Sequence, residues 1–245
     1  MGFSKQTRER AQASLPWRQA PAFFEALDGI EGLAPLALRF AALSALRSGE
    51  ARALRWHWIS FDGGQPMLAV PREVMKGTKA AEPSPHRVPL STAMLETLAR
   101  AYGLAYGVKV APDDLPKLAR LAGDSLIFPN ISRTAPFTDM ALSAVIRRMN
   151  KGKDGPQWVD PSGRPVVPHG FRATFRTWAD DCHPEERDAA EKALAHEDAN
   201  QVAGRYRRSD LFERRIGLME QWGQHCTKPA APVVSLPKAR AKAAQ

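Results

Sequence analysis

The sequence predicts a mainly α fold with a small antiparallel β-sheet, an α+β arrangement, and three observations lead to that class. Leu33, Leu36, Ala37, Phe40 and Leu43 recur at the three-and-four spacing of a buried helix face. From Trp58 to Leu90 the pattern changes to short β-prone pieces, WISF, MLAV and HRVPL, separated by Asp62-Gly63-Gly64 and by a loop around Lys76-Gly77. Helical periodicity then returns and dominates as far as Trp222. A chain of 245 residues with 44% apolar content is long enough for one domain with a full hydrophobic core.

The elements follow in order. Residues 1–15 are polar and lack apolar periodicity, so a flexible linker is expected there, with the folded domain spanning 16–225. Within LPWRQAPAFFEALDGI a helix should begin at about Ala20. The run through Leu43 is expected to end at Gly49, where glycine relieves a helix C-terminus, and a short helix from Glu50 to about Arg55 should follow. The three β-prone pieces form an antiparallel sheet. Ser91 is placed to cap TAMLETLARAYG, and a helix over Thr138 to Met149 follows the LIFPN segment. Residues 150–168, rich in Gly and Pro, read as an irregular connection that delivers the chain to His169. Helices are expected at about 170–182, 185–195, 199–205 and 211–224. The last carries Leu211, Leu218, Met219 and Trp222 on one face, with Asp210 and Glu213 spaced as a capping box. Residues 226–245 are Pro- and Ala-rich with basic points, a composition that cannot bury enough apolar surface to order itself. No internal repeats are visible.

Composition narrows the function. Against 26 acids stand 35 lysines and arginines, a formal charge of +9, which suggests a polyanionic partner and most simply nucleic acid. The tail contributes Lys228, Lys238, Arg240 and Lys242 without an acid, yet the rest of the chain keeps a positive balance. Cys182 and Cys226 are too few for a disulfide framework, and no stretch resembles a signal peptide, so a reducing cytoplasm is expected. No run approaches the roughly 18 uninterrupted apolar residues of a membrane span. The adjacent pairs Cys182-His183 and His225-Cys226 lack ligand spacing, so no metal is expected. A Gly-rich phosphate loop of the Walker kind is missing, and no cofactor is implied.

The chemistry-bearing pattern is a set. In VVPHGFRATFRTW, His169 and Arg172 stand three apart on one face of a helix, which by itself is an ordinary polar face. Arg47 precedes Glu50 in LRSGEARALRW, Lys76 sits in VMKGTK, His196 in LAHEDANQV and Tyr206 in GRYRRSDLFERR. Taken singly each has a plain structural reading: a helix-end cation, a solvated lysine, a loop histidine, a half-buried aromatic. In this order they resemble the catalytic domain of tyrosine recombinases, specifically phage-type integrases, across roughly residues 16–225. The matching stretches are Arg47-Ser48-Gly49-Glu50, Lys76 ahead of His86-Arg87-Val88-Pro89-Leu90-Ser91, His169-Gly170-Phe171-Arg172, Leu194-Ala195-His196, and Tyr206 ten residues on.

That resemblance implies the tyrosine recombinase catalytic-domain fold and site-specific cleavage and rejoining of DNA through a 3′-phosphotyrosine. Tyr206 is the implied nucleophile, Arg47 and Arg172 the clamp on the phosphate, His169 the proton acceptor and His196 a donor to a phosphate oxygen. Lys76 is the implied general acid, favoured over Lys79 three residues on. Glu50 is expected behind these residues, orienting Arg47 or a histidine. Two always-charged, forked donors suit the negative charge that builds on a pentacoordinate phosphorus. Arg147, Arg148, Arg176 and Arg207 are candidate phosphate contacts of no sequence preference. The resemblance further implies double-stranded DNA as partner, a homo-oligomer, as a tetramer on paired sites, accessory DNA-bending or directionality factors, and residence at the nucleoid of a bacterial cytoplasm. Such integrases usually carry an N-terminal helical domain, and the resemblance leads to the expectation that this chain starts too late to include it. Two departures stand out: Arg205 where the family often has alanine, and a long 150–168 connection. A noncatalytic DNA-binding module with the same basic surface, or a topoisomerase using the same residues, are the alternative readings.

Overall fold

The computed structural model describes residues 12–75, 84–152, 155–195 and 209–229. Helices α1 (Ala20–Asp28), α2 (Leu33–Ser44) and α3 (Ser48–Arg52) come first. Three short strands follow, β1 (Ile59–Ser60), β2 (Met67–Val70) and β3 (His86–Pro89). They pair antiparallel in the order β1-β2-β3, with Ile59 opposite Leu68 and Val70 opposite His86. Helices α4 (Thr92–Tyr106), α5 (Leu115–Ala122), α6 (Asp139–Met149), α7 (Gly170–Cys182), α8 (Arg187–Ala193) and α9 (Phe212–Thr227) complete the described body.

The core forms around α2, in which every residue from Pro35 to Ser44 is buried because α1, α4, α6, α7 and α9 all pack against it. Only Arg39 is charged in that run, and its guanidinium is met by both Asp28 oxygens, at 2.9 and 2.8 Å, and by Thr97 Oγ1 at 3.1 Å. Phe23 links α1 to the second half of the chain through edge and tilted contacts with Trp158 at 5.2 Å and Phe171 at 4.8 Å. Trp178 and Trp222 meet at 5.0 Å and join α7 to α9. Burying an aromatic or branched side chain of this kind is worth about 1.5–3 kcal/mol, so these contacts hold the α7 frame firmly.

Several expectations shift. The chain is already packed at Ala13 and Leu15, 7% and 2% exposed, ahead of the boundary expected at residue 16. Helix α2 ends not at Gly49 but at Ala45, which takes a left-handed φ of 55°, and Gly49 lies inside α3. Ser91 occupies the cap position of α4, yet among the described residues its buried hydroxyl has no hydrogen-bond partner. Glu220 of α9 takes over by accepting from the Thr92 amide at 2.9 Å. Helix α5 was not expected from the sequence. Asp114 braces the turn ahead of it by accepting from the Ala111 amide at 3.0 Å. The last helix runs to Thr227 with Cys226 fully buried, beyond the expected start of the tail. The helix expected at 199–205 lies outside the described residues.

The Gly- and Pro-rich connection is anchored. Asp160 accepts from Ser162 Oγ at 2.7 Å and from the Ser162 and Arg164 amides at 2.9 Å each, while Trp158 is 3% exposed. A one-residue bridge between Val159 and Pro165 closes this turn ahead of α7.

Candidate active site

The break at Ala45 sets up the site. A left-handed alanine is strained, and here it turns the Ala45 carbonyl toward α7, where Arg172 Nη1 donates to it at 2.5 Å. Arg172 Nη2 donates to the Leu194 carbonyl at 2.6 Å, just past the end of α8. Arg172 is therefore buried, 5% exposed, with its plane fixed by two main-chain oxygens from separate parts of the chain. Burial above all, and then the neighbouring Arg47 cation, push its guanidinium down to about 10, against some support from Glu50 and Glu191. It stays charged at neutral pH.

Arg47 is the residue before α3, in extended conformation. Glu50 holds it twice: one carboxylate oxygen accepts from the Arg47 amide at 2.8 Å and the other from Nη1 at 3.0 Å. The Glu50 side chain is 3% exposed while that of Arg47 is 27% exposed, so the carboxylate lies behind and the guanidinium reaches outward. The structure thus brings Arg47, Glu50 and Arg172 together, as the R-x-x-E and H-x-x-R spacings imply.

His169 is exposed at the residue preceding α7. The first helical residue, Gly170, is pressed from outside by the chain near Ala13, and Val167 N donates to the Ala13 carbonyl at 3.2 Å. Thr174 Oγ1 donates to the Leu15 carbonyl at 2.8 Å. Trp17 Nε1 bonds Asp181 at 2.8 Å, and its carbonyl meets His225 Nε2 at 3.0 Å. The helix bearing Arg172 is thereby strapped along its length by residues 13–17.

Lys76, Lys79, His196, Tyr206 and Arg207 lie outside the described residues, as does Arg205. Arg147 and Arg148 are exposed in the last turn of α6, and among the described residues no carboxylate is within ion-pair distance of either. Arg176 is differently placed: its side chain is 16% exposed and pairs with Asp180 and with Glu191, at 2.5 Å for the latter. Among the described residues no cluster of three His, Cys, Asp or Glu side chains could hold a metal ion, and no helix is long and apolar enough to cross a membrane.

Sequence reasoning gave no site role to His86, Arg87 or Asp210; the structure sets His86 close enough to Arg172 for that cation to act on its ring. Arg87 donates bidentately to Asp210, at 2.8 and 2.7 Å, and Arg215 joins them at 3.0 Å. The signal was present in the HRVPLS stretch, read only as a flank to the lysine loop.

The phage integrase family pattern matches residues 15–211. The chain belongs to the phage integrase family. It is similar to prophage integrase IntZ of Escherichia coli strain K12, 25% identical over 89% of this chain and 46% of that protein. The integrase of Enterobacteria phage P4 is 26% identical over 96% of this chain and 50% of its own length. Prophage integrase IntA of Escherichia coli strain K12 is 28% identical over 74% of this chain and 35% of its own length. This phage integrase family chain thus corresponds to at most half the length of those relatives. No solved structure matches it.

Proposed function

We propose that this chain carries the catalytic centre of a site-specific DNA recombinase that integrates or excises a mobile element or prophage. The observation that carries the reading is the convergence of Arg47, just ahead of α3, and Arg172 of α7, with Glu50 behind them. Arg172 in addition holds the Leu194 carbonyl, two residues ahead of His196.

In this reading the Tyr206 oxygen attacks a DNA phosphodiester and forms a phosphorus–oxygen bond as the bond to the 5′-oxygen breaks. His169 takes the phenol proton, and Lys76 protonates the departing 5′-oxygen. A phenol of pKa near 10 is about one part in a thousand ionised at neutral pH, so the acceptor and the cationic surroundings are both needed. Arg47 and Arg172 neutralise the non-bridging oxygens as charge develops, and His196 adds a hydrogen bond. Attack by a second 5′-hydroxyl on the phosphotyrosine reverses the step on a new strand. The number of phosphodiester bonds is unchanged, so no nucleotide hydrolysis is required. Double-stranded DNA is the partner, with Arg147 and Arg148 as phosphate contacts. Four copies acting on paired sites, with accessory DNA-bending or directionality factors, and residence at the bacterial nucleoid, complete the proposal.

The test is a nicked suicide duplex drawn from the DNA junctions of the element that carries the gene. The chain should form an adduct that survives denaturant, and Tyr206→Phe should abolish the adduct while leaving DNA binding intact. Binding without any adduct would favour a noncatalytic module, and relaxation of plasmids lacking those junctions would favour a topoisomerase.

A further inference from the structure

Two consecutive residues of strand β3 face the two ends of one stretch of chain. His86 opens the strand and is 6% exposed. Its ring lies against the Ala193 carbonyl, at the end of α8, and among the described residues its buried Nε2 has no hydrogen-bond partner. Burial above all, then the charges of Arg215, Arg72 and Arg172, drive its pKa down to about 3, so the ring stays neutral. A charged ring there would add a cation among three guanidinium groups.

Arg87 follows and engages the other end. Its Nε and Nη2 take both oxygens of Asp210 at 2.8 and 2.7 Å, and its guanidinium sits 4.5 Å from the centre of the Phe212 ring. The Arg87 carbonyl accepts from Arg215 Nη1 at 2.6 Å, and Arg215 Nη2 returns to Asp210 at 3.0 Å. Asp210 also accepts from the Phe212 amide at 3.2 Å, which fixes the start of α9. Arg215 is 1% exposed, so this is a closed circuit of strand, aspartate and helix.

Between these anchors the chain carries His196, three residues after Ala193, and Tyr206, four residues before Asp210. Four residues extend at most about 14 Å, so an anchor at Asp210 bounds where the phenol can go. Resting on the recombinase reading above, we propose that His86 and Arg87 are positioning residues for the cleavage step. One strand holds both ends of the segment bearing His196 and Tyr206, and so sets the distance from the phenol to the Arg47–Arg172 pair. Both residues act through the chain they hold. A paired fork with both partners about two-fifths exposed contributes little to folding, which separates this role from simple stabilisation.

The test compares the wild-type chain with Arg87→Ala, Arg87→Lys, Asp210→Asn, His86→Phe and His86→Gln. Single-turnover cleavage of the suicide duplex, DNA affinity and thermal melting are read side by side. Misplacing a reacting group by about 1 Å costs on the order of a hundredfold in rate. Arg87→Ala and His86→Phe should lose cleavage on that scale with DNA affinity unchanged. Arg87→Lys and His86→Gln should recover part of it. A duplex with sulfur in place of the bridging 5′-oxygen needs no general acid, and the loss should persist on it, because the lesion is at the nucleophile. Full recovery on the sulfur substrate, or a fall in DNA affinity that accounts for the whole effect, overturns the proposal. Hydrogen exchange of residues 196–208 in the DNA-free chain supplies a reading independent of catalysis. Exchange should rise in Arg87→Ala, and unchanged exchange overturns the clasp even if the wild type forms no adduct. That last result would count against the recombinase reading instead.

Discussion

Gly170 lies directly beneath the Ala13 carbonyl: a Cβ at this glycine would sit 2.0 Å from that oxygen and 2.8 Å from its carbon. Both near atoms are backbone, so no side chain can swing aside. Gly170→Ala should force residues 13–14 and the start of α7 apart, costing about 1–3 kcal/mol as overpacking does. Adduct formation should fall as well, since His169 and Arg172 flank the displaced residue. Thermal melting and the suicide-duplex assay check both.

Gly217 provides the contrast. It is exposed inside α9, and among the described residues nothing lies within 4 Å of a Cβ built on it. Gly217→Ala should stabilise the chain by about 0.5–1 kcal/mol through the lower entropy of the unfolded state and better helix propensity. Denaturant unfolding with an unchanged slope is the expected record.

Arg172→Lys keeps a cation but cannot span the Ala45 and Leu194 carbonyls and still offer a fork. A rate loss of about a hundred- to a thousandfold in adduct formation is expected, the scale seen when one preorganised donor is removed. The two buried carbonyls, left short of a donor, should also lower the melting temperature.

Glu50→Gln tests the support of Arg47. A neutral amide can accept from the Arg47 amide or from its guanidinium, but it no longer presents a charged acceptor to each. Bonds to a charged group contribute about 1.5–3 kcal/mol, so a stability loss toward the lower end is expected. Cleavage should fall more steeply than DNA affinity, measured on the same preparation.

Asp160 makes the turn before His169 sensitive to acid. Hydrogen bonds from Ser162 first, and from Arg164, hold its carboxyl down at about 2, against about 3.9 in an unfolded chain. A depressed carboxylate stabilises in full above the unfolded value and loses that contribution as pH falls through the folded one. The melting temperature of the wild type should therefore exceed that of Asp160→Asn above about pH 4. The gap should close as the pH falls to about 2. A gap that stays constant across that range would show that the carboxylate's charge plays no part.

The large elements were legible because their periodicity reports burial directly. The face of α2, the three β pieces and the run of α6 all appear where hydrophobic spacing places them. Legibility fails where distant contacts decide. Gly49 looked like a helix end by propensity, yet the chain breaks at Ala45, a residue with no local reason to turn left-handed. What stands against that strain is a carbonyl directed to Arg172, a partner 127 residues away. Ser91 looked like a cap, but Glu220 from α9 occupies the role. At the site, motif spacing points to Arg47, Glu50 and Arg172, whereas the contacts of His86 and Arg87 emerge only when α8 and α9 are brought to the strand. Four of the other expected participants, Lys76, His196, Tyr206 and Arg207, lie outside the described residues.

The two main-chain oxygens on Arg172 have a mechanical corollary. A guanidinium already gripped on two sides cannot swivel to follow an incoming ligand. In the proposed recombinase reading a phosphodiester would meet a stationary receptor, and the protein would lose little freedom there on contact.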